Sequence, residues 1–449
     1  MARICSVGCV FAYLSLMVQR SSTRLVQRYP CLSVIFTYMS DKLQAPKSFF
    51  RSSRYILFWL SSLFSNMGTW MQQVAQPWVI LSLNNSPFWV GVDSFAMNAP
   101  GWIFTLWGGV LADRFDRKKT ILFFQAIQFL CVSTMILLLV MGWLKIWMIV
   151  LISFLIGLTD SLSMPSFQSI IPSIVDKKDI HQAISLNSTQ FNFSRILGPA
   201  IAGVIIVKYG AVACFSANAV SYLPFFLSLY FIYPKSKIKR EPIEAKPIQQ
   251  FKEFRKLLSN PDVHFPLMKT LFTGIFCAPI VAFCAVLIKN GFHKEVETYG
   301  ASMGALGIGG LIGATLSFIT LPQTWKLNKV ASVASILLGI IILLVSLNQS
   351  FILLIILLIL AGAGLTASNI AVNSFLQENT TNNFRGRIVS FFQLALSGGI
   401  SIGALLTGFT VSRFGISNAF FFNGTLAILI QSFLLWRQMR VPVAQEIAK

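Results

Sequence analysis

Charge is what this sequence has least of. Asp, Glu, Lys and Arg make up 11% of its 449 residues, whereas a soluble domain carries about a quarter. That shortage excludes a soluble enzyme and a highly charged disordered tail. Cysteine pairs are missing too. The seven thiols are odd in number, and Cys131, Cys214, Cys277 and Cys284 lie inside apolar runs. No disulfide scaffold, zinc spacing or redox pair is read from them. Cys277 and Cys284 share a helix face, which packing explains. His181, His264 and His293 are scattered without metal-ligand spacing. No G-x-x-x-x-G-K-S/T occurs, which excludes ATP hydrolysis by a P-loop in this chain. No polar catalytic cluster gathers near an interface, which argues against a membrane-embedded enzyme. No cofactor is implied.

What the sequence does have is apolar length. Hydrophobic residues make up 55%, and a spanning helix needs about 20 of them, enough for roughly a dozen spans. The runs fall at 55–82, 88–111, 120–143, 146–172, 181–207, 211–233, 265–289, 299–321, 327–347, 351–373, 388–411 and 415–436. They predict an all-α polytopic membrane protein with 12 transmembrane helices in two six-helix halves. One connection is long. Residues 234–263 hold Pro234, Pro242, Pro247, Pro261 and many bases, and read as a linker between a bundle at 49–233 and another at 264–440. A tail follows at 441–449.

The net charge of +21 is mostly a matter of topology. Of 36 Lys and Arg, all but Lys145, Lys208, Lys289, Lys294, Arg413, Arg195 and Lys269 lie before the first run, in or at the edge of every second loop, or after the last. By the positive-inside rule that face is cytoplasmic, with both termini. It suits anionic lipid, not nucleic acid. The first 48 residues fit this scheme poorly. Ile4–Val18 is apolar but only 15 residues long, too short to span, and no small-residue cleavage site follows. The expected translation start is Met39, with 1–48 an extension outside the bundles.

The two halves repeat. Ser194, Gly198, Gly203 and Gly210 are followed 205 residues later by Gly399, Gly403, Gly408 and Gly415. That offset puts the fifth and eleventh helices in register. Parallel repeats about an axis along the membrane normal are a transporter arrangement, with the substrate site between them near the midplane. Gly304, Gly307, Gly309, Gly310 and Gly313 in the eighth helix read as close helix packing.

Between the second and third helices runs Gly109-Val110-Leu111-Ala112-Asp113-Arg114-Phe115-Asp116-Arg117-Lys118-Lys119. A positive-inside anchor explains the bases, but not Gly109 or the interleaved acids. Here the chain resembles the major facilitator superfamily, whose signature in this loop is G-x-L-a-D-r-x-G-r-k. Gly109, Leu111, Ala112, Asp113, Arg114, Arg117 and Lys118 match, and Asp116 replaces the second glycine. The resemblance implies a charge latch of Asp113 and Arg117 against the opposite half, with Asp113 facing the N-terminus of the eleventh helix. Such a latch holds the cytoplasmic side closed. The equivalent loop at 321–326 lacks the signature, so the latch is one-sided.

On the fifth helix, Gly198 permits close backbone approach and Pro199 a kink, which ordinary membrane packing also explains. The run Ser194 to Gly203 is similar to the G-x-x-x-G-P-x-x-G-G motif of the family's exporters, with Ser194 and Ala202 replacing two glycines. Together with Trp70–Ala75, Ser86-Pro87 and the Asp113 loop, it resembles the enterobactin-exporter-like branch of drug–proton antiporters. That resemblance implies a monomer in the bacterial inner membrane that exports a siderophore or drug-like amphipathic small molecule by alternating access. Protons are the coupling ion it implies. An uptake carrier of the same fold is the alternative.

Of the charges inside predicted helices, where charge is expensive and usually functional, three are candidates for chemistry. Asp160 lies midway between Lys145 and Asp176, and Arg195 lies about 4.5 Å from the middle of the next helix. Such antiparallel neighbours are expected to meet as a buried pair, serving either packing or transport. Asp93 stands about 9 Å outward of its helix centre, without an obvious cationic neighbour. It is either a hydrogen-bonded acid near the outer surface or a proton carrier, neutral in one state and ionised in another. Polar stripes mark inward faces: Asn66, Thr69, Gln73 and Gln76 on the first helix, Asn187, Gln190 and Ser194 on the fifth, Thr366, Asn369 and Asn373 on the tenth. They either line a cavity or bond one helix to another.

Overall fold

Glycine and proline decide where these apolar runs turn. The computed structural model describes residues 53–176, 179–231, 260–320, 327–380 and 385–440, and every regular element among them is a helix. Helix α1 is Ser53–Asn84, and α2 comes in two pieces, Pro87–Asn98 and Pro100–Arg114. Then follow α3 (Arg117–Val140) and α4 (Ile146–Ile174). The stretch Ile180–Phe231 is divided at Gly210 into α5 (180–209) and α6 (211–231). Helix α7 begins as Pro261–Phe276 and continues in short pieces to Gly291. The rest are α8 (Val296–Thr320), α9 (Leu327–Leu347), α10 (Phe351–Glu378), α11 (Arg385–Phe414) and α12 (Ile416–Arg440).

Gly210 and Gly415 take φ of 78° and 80°, a region costly for a residue with a Cβ. They turn α5 into α6 and α11 into α12. Pro100 and Pro279 lack the backbone N–H that an unbroken helix needs, and α2 and α7 break there. Nine stretches among the described residues are long and apolar enough to cross a membrane, one of them holding both α5 and α6. The two missing from that set are instructive. α2 falls into pieces of 12 and 15 residues, and α1 carries the polar stripe.

By its contacts the chain divides after Ile56. Before that point only 53–56 are described, as the start of α1; everything below concerns Leu57–Lys449. The expected extension at 1–48, the body of the linker and the tail at 441–449 lie outside the described residues. Within the larger unit α11 packs on α2 and α7, α8 on α5 and α10, α9 on α10 and α12, and α4 on α2 and α3. One apolar core joins Val74, Ala202, Tyr299 and Leu358. Large apolar side chains such as Leu130, Leu227 and Ile352 remain exposed on the outside, where lipid replaces water.

The 205-residue repeat is a repeat of contacts. Gly198 of α5 lies against Trp70 of α1, and Gly403 of α11 lies against Ile275 of α7. Gly203 meets Gly300 of α8, and Gly408 meets Gly91 of α2. Ser194 donates to the Leu63 carbonyl of α1 at 3.3 Å, and Gly399 rests on the Leu271 carbonyl of α7. A Cβ at Gly91, Gly198, Gly203 or Gly403 would overlap its neighbour. The face on which α6 ends and α7 begins is termed the linker face, and its opposite the far face.

Candidate functional site

Helix α1 buries Gln72 and Gln76 one turn apart, and a polar chain grows from them. Asp93, on the first piece of α2, is 6% exposed. Gln76 Nε2 donates to its Oδ2 at 2.7 Å, and Ser153 Oγ of α4 donates to its Oδ1 at 2.6 Å. Gln76 Nε2 also reaches Ser153 Oγ at 2.7 Å. An ionised carboxylate only accepts, so Gln76 must present its amide nitrogen. Its Oε1 then accepts from Gln72 Nε2 at 3.2 Å, and Gln72 Oε1 accepts from Asn218 Nδ2 of α6 at 2.6 Å. Each amide orientation follows from the one before. The result is a one-way series of donors ending on Asp93. A proton on Asp93 would remove an acceptor and turn Ser153 or Gln76 away.

The pair expected between Asp160 and Arg195 is not formed. Asp160 accepts from Gln128 Nε2 of α3 at 2.8 Å, has Tyr222 of α6 nearby, and is accessible, not buried. Arg195 is half-buried and has no hydrogen bond, ion pair or ring contact among the described residues. The reason is packing order. α4 lies chiefly against α2 and α3, and α5 against α8, so α4 and α5 hardly touch although they are consecutive in sequence.

Part of the polar stripes bonds helix to helix, through Asn66, Gln76, Gln190 and Ser194. Asn66 Nδ2 donates to Gln190 Oε1 at 3.4 Å, and Gln190 Nε2 to Ser194 Oγ at 3.2 Å, joining α1 to α5. Thr69 bonds its own Ser65 carbonyl, and Asn373 accepts from Gln377 one turn on. Thr366 is buried beside Gly310 of α8. Gln73, Asn187 and Asn369 are half-buried.

Lys269 is the residue whose role the sequence did not reveal. It is fully buried on α7, donating from Nζ to Ser332 Oγ of α9 and to Gln438 Oε1 of α12 at 2.6 Å. Gln431 of α12 donates to the Lys269 carbonyl at 3.1 Å and to Thr273 Oγ1 at 3.0 Å. Its one signal was a charge inside an apolar run; the partners come from helices far away in the chain.

In the α2–α3 loop, Asp116 caps α3 by accepting from the Lys119 N–H at 2.9 Å. That accounts for an acid where the resemblance has glycine. Arg117 donates to the Ser169 carbonyl of α4 at 3.1 Å. Lys118 donates to the Tyr230 carbonyl of α6 at 3.0 Å and lies over its ring. Arg114 is exposed, and Gly109 has open space where a Cβ would stand. The Asp113 side chain and the loop at 321–326 lie outside the described residues.

The described bonds between the halves lie toward the far face. Lys289 Nζ donates to the Leu81 carbonyl at the end of α1 at 2.7 Å. Tyr299 of α8 donates to the Val74 carbonyl at 2.6 Å and stacks on Trp78. With the Gly203–Gly300 and Gly91–Gly408 contacts, they seal that side.

Known proteins share this architecture. The family model described as transmembrane secretion effector matches residues 44–449. The staphyloferrin A transporter of Staphylococcus aureus is 26% identical over 406 residues, covering 88% of this chain and 98% of that protein. The enterobactin exporter EntS of Citrobacter koseri is 26% identical over 352 residues, covering 75% of this chain and 80% of that protein. The solved structure of the nucleoside transporter NupG is similar with a TM-score of 0.69 at 12% identity, covering 87% of this chain and all of that one; this likeness shows the fold.

Proposed function

The chain belongs to the transmembrane secretion effector family of major facilitator transporters, and from that premise we propose that it exports a siderophore or drug-like amphipathic molecule by proton-coupled antiport. The membrane is the bacterial inner membrane, with both termini cytoplasmic by the Lys/Arg bias. The observation that carries the reading is the series of donors ending on Asp93. That acid stands two residues from Gly91, whose backbone meets Gly408 across the far-face seal. When α2 and α11 part, Asp93 is reached from outside and takes a proton. Ser153 or Gln76 then turns away, and release of the proton toward the linker face after the far face closes restores the bond. Proton state and the state of the seal are thereby coupled.

The two halves rock about a midplane site, and substrate enters from the linker face while the far face is closed. In the opposite state Asp113 and Arg117 latch the cytoplasmic side. The staphyloferrin and enterobactin carriers among the relatives support a siderophore as cargo. Everted vesicles acidified inside are expected to accumulate the exported molecule. Asp93→Asn is expected to abolish that accumulation, and undiminished accumulation in this variant removes Asp93 from the mechanism. To identify the cargo, small molecules released by cells with and without the gene are compared. Accumulation only in right-side-out vesicles establishes the uptake alternative.

A further inference from the structure

Helix α5 has four sides, and three are accounted for. Ser194 and Gly198 face α1, while Ile196, Ala200 and Gly203 face α8. The exposed Phe193 and Val204 mark the lipid side. At 3.6 residues per turn, Arg195 stands about 200° from Phe193 and about 180° from Val204. It therefore projects into the interior between the halves. Its face is graded along the helix. Ile184 and Ser188, two to three turns toward the linker face, are exposed. Ala202 and Ile206, two to three turns toward the far face, are sealed. Arg195 sits where this face passes from exposed, toward the linker face, to sealed, toward the far face.

Helix α4 shows the same gradation. Leu151 marks its lipid side, about 180° from Asp160 by the same count. Asp160, Met164 and Gln168 form an exposed row toward the linker face, and Ser153 and Ile156 are buried toward the far face. Asp160 thus lines the same interior but bonds Gln128, leaving Arg195 without an acid. A guanidinium offers five donors and no acceptor, and among the described residues the protein takes none of them. At this depth an uncompensated cation is costly. An anion bound on this face would supply the missing counter-charge.

We infer that Arg195 is the anion receptor of the transport site and that the transported molecule carries a carboxylate. The planar fork of the guanidinium accepts a carboxylate through two parallel hydrogen bonds. The inference rests on the export reading for which molecule moves, but binding is tested apart from transport. Purified full-length protein is titrated with 2-naphthoate and with its neutral isostere 2-naphthamide, following tryptophan fluorescence and melting temperature. Naphthoate is expected to bind at least about tenfold tighter than the amide, the worth of one charge-assisted contact. Arg195→Gln erases that preference. Arg195→Lys keeps the charge, loses the fork and falls between. Equal binding of the two probes to the unaltered protein overturns the inference and needs no variant to fold. Equal protection by inorganic phosphate overturns the assignment to a carboxylate. Probe preference without proton-driven accumulation in everted vesicles leaves the Arg195 site and sinks the export reading; accumulation without preference does the reverse.

Discussion

Where α5 leans on α1 through Ser194 and Gly198, α11 leans on α7 through Gly399 and Gly403, and each helix ends on a left-handed glycine. Beneath these matched backbones the polar interiors differ. The first half gathers donors from α1, α4 and α6 onto the carboxylate of Asp93. The second surrounds a cation, Lys269, with oxygen acceptors from α9 and α12. Of the described charges inside spanning helices, Asp160 and Arg195, neither of them sealed from solvent, also belong to the first half. Rocking two halves against each other requires like backbones on both sides. Proton and substrate chemistry requires only one set of groups, and one half can hold it.

The largest effects test the shared backbone. Gly203→Leu and Gly408→Leu are each expected to abolish vesicle transport and to open the far face to membrane-impermeant thiol reagents at a cysteine placed beside Tyr299. If one variant transports normally, the two seals are not equivalent. Next come the two polar interiors. Asp93→Asn should end proton-driven accumulation while leaving probe binding in place. Lys269→Gln should instead lower stability, by about 1–3 kcal/mol for a buried bond to a charged group, and retain proton coupling. Loss of coupling with Lys269→Gln would make the halves chemically joint.

Smaller effects sharpen the comparison. Gly210→Ala and Gly415→Ala should each cost about 1–2 kcal/mol, the penalty of a Cβ in the left-handed region, and by similar amounts in denaturant melts. Asp116→Ala should cost about 1 kcal/mol through loss of the α3 cap. A much larger loss there would mean that Asp116 also serves the latch.

Much of this was legible from residue type and spacing. The apolar runs located the twelve described helices to within several residues, because a membrane demands long apolar stretches. The offset between Ser194–Gly210 and Gly399–Gly415 was visible because close backbone contact tolerates only small residues. The site was far less legible. Gln76 stood out as part of a stripe, but Gln72, off that stripe, completes the series to Asn218. Asp160 and Arg195 looked like partners because their helices are consecutive, and packing separated them. Lys269 showed itself only as a charge in an apolar run.

From the sequence alone follow the class, the number of crossings, the internal repeat and the family loop. All depend on local composition or on one helix at a time, and a lipid environment makes those local demands strict. Only the tertiary structure decided which buried polar groups meet, which face of α5 is sealed, and that Arg195 lacks a partner among the described residues. Those facts depend on the lateral order of helices. That order is set by the summed packing of many small contacts, and no single residue announces it.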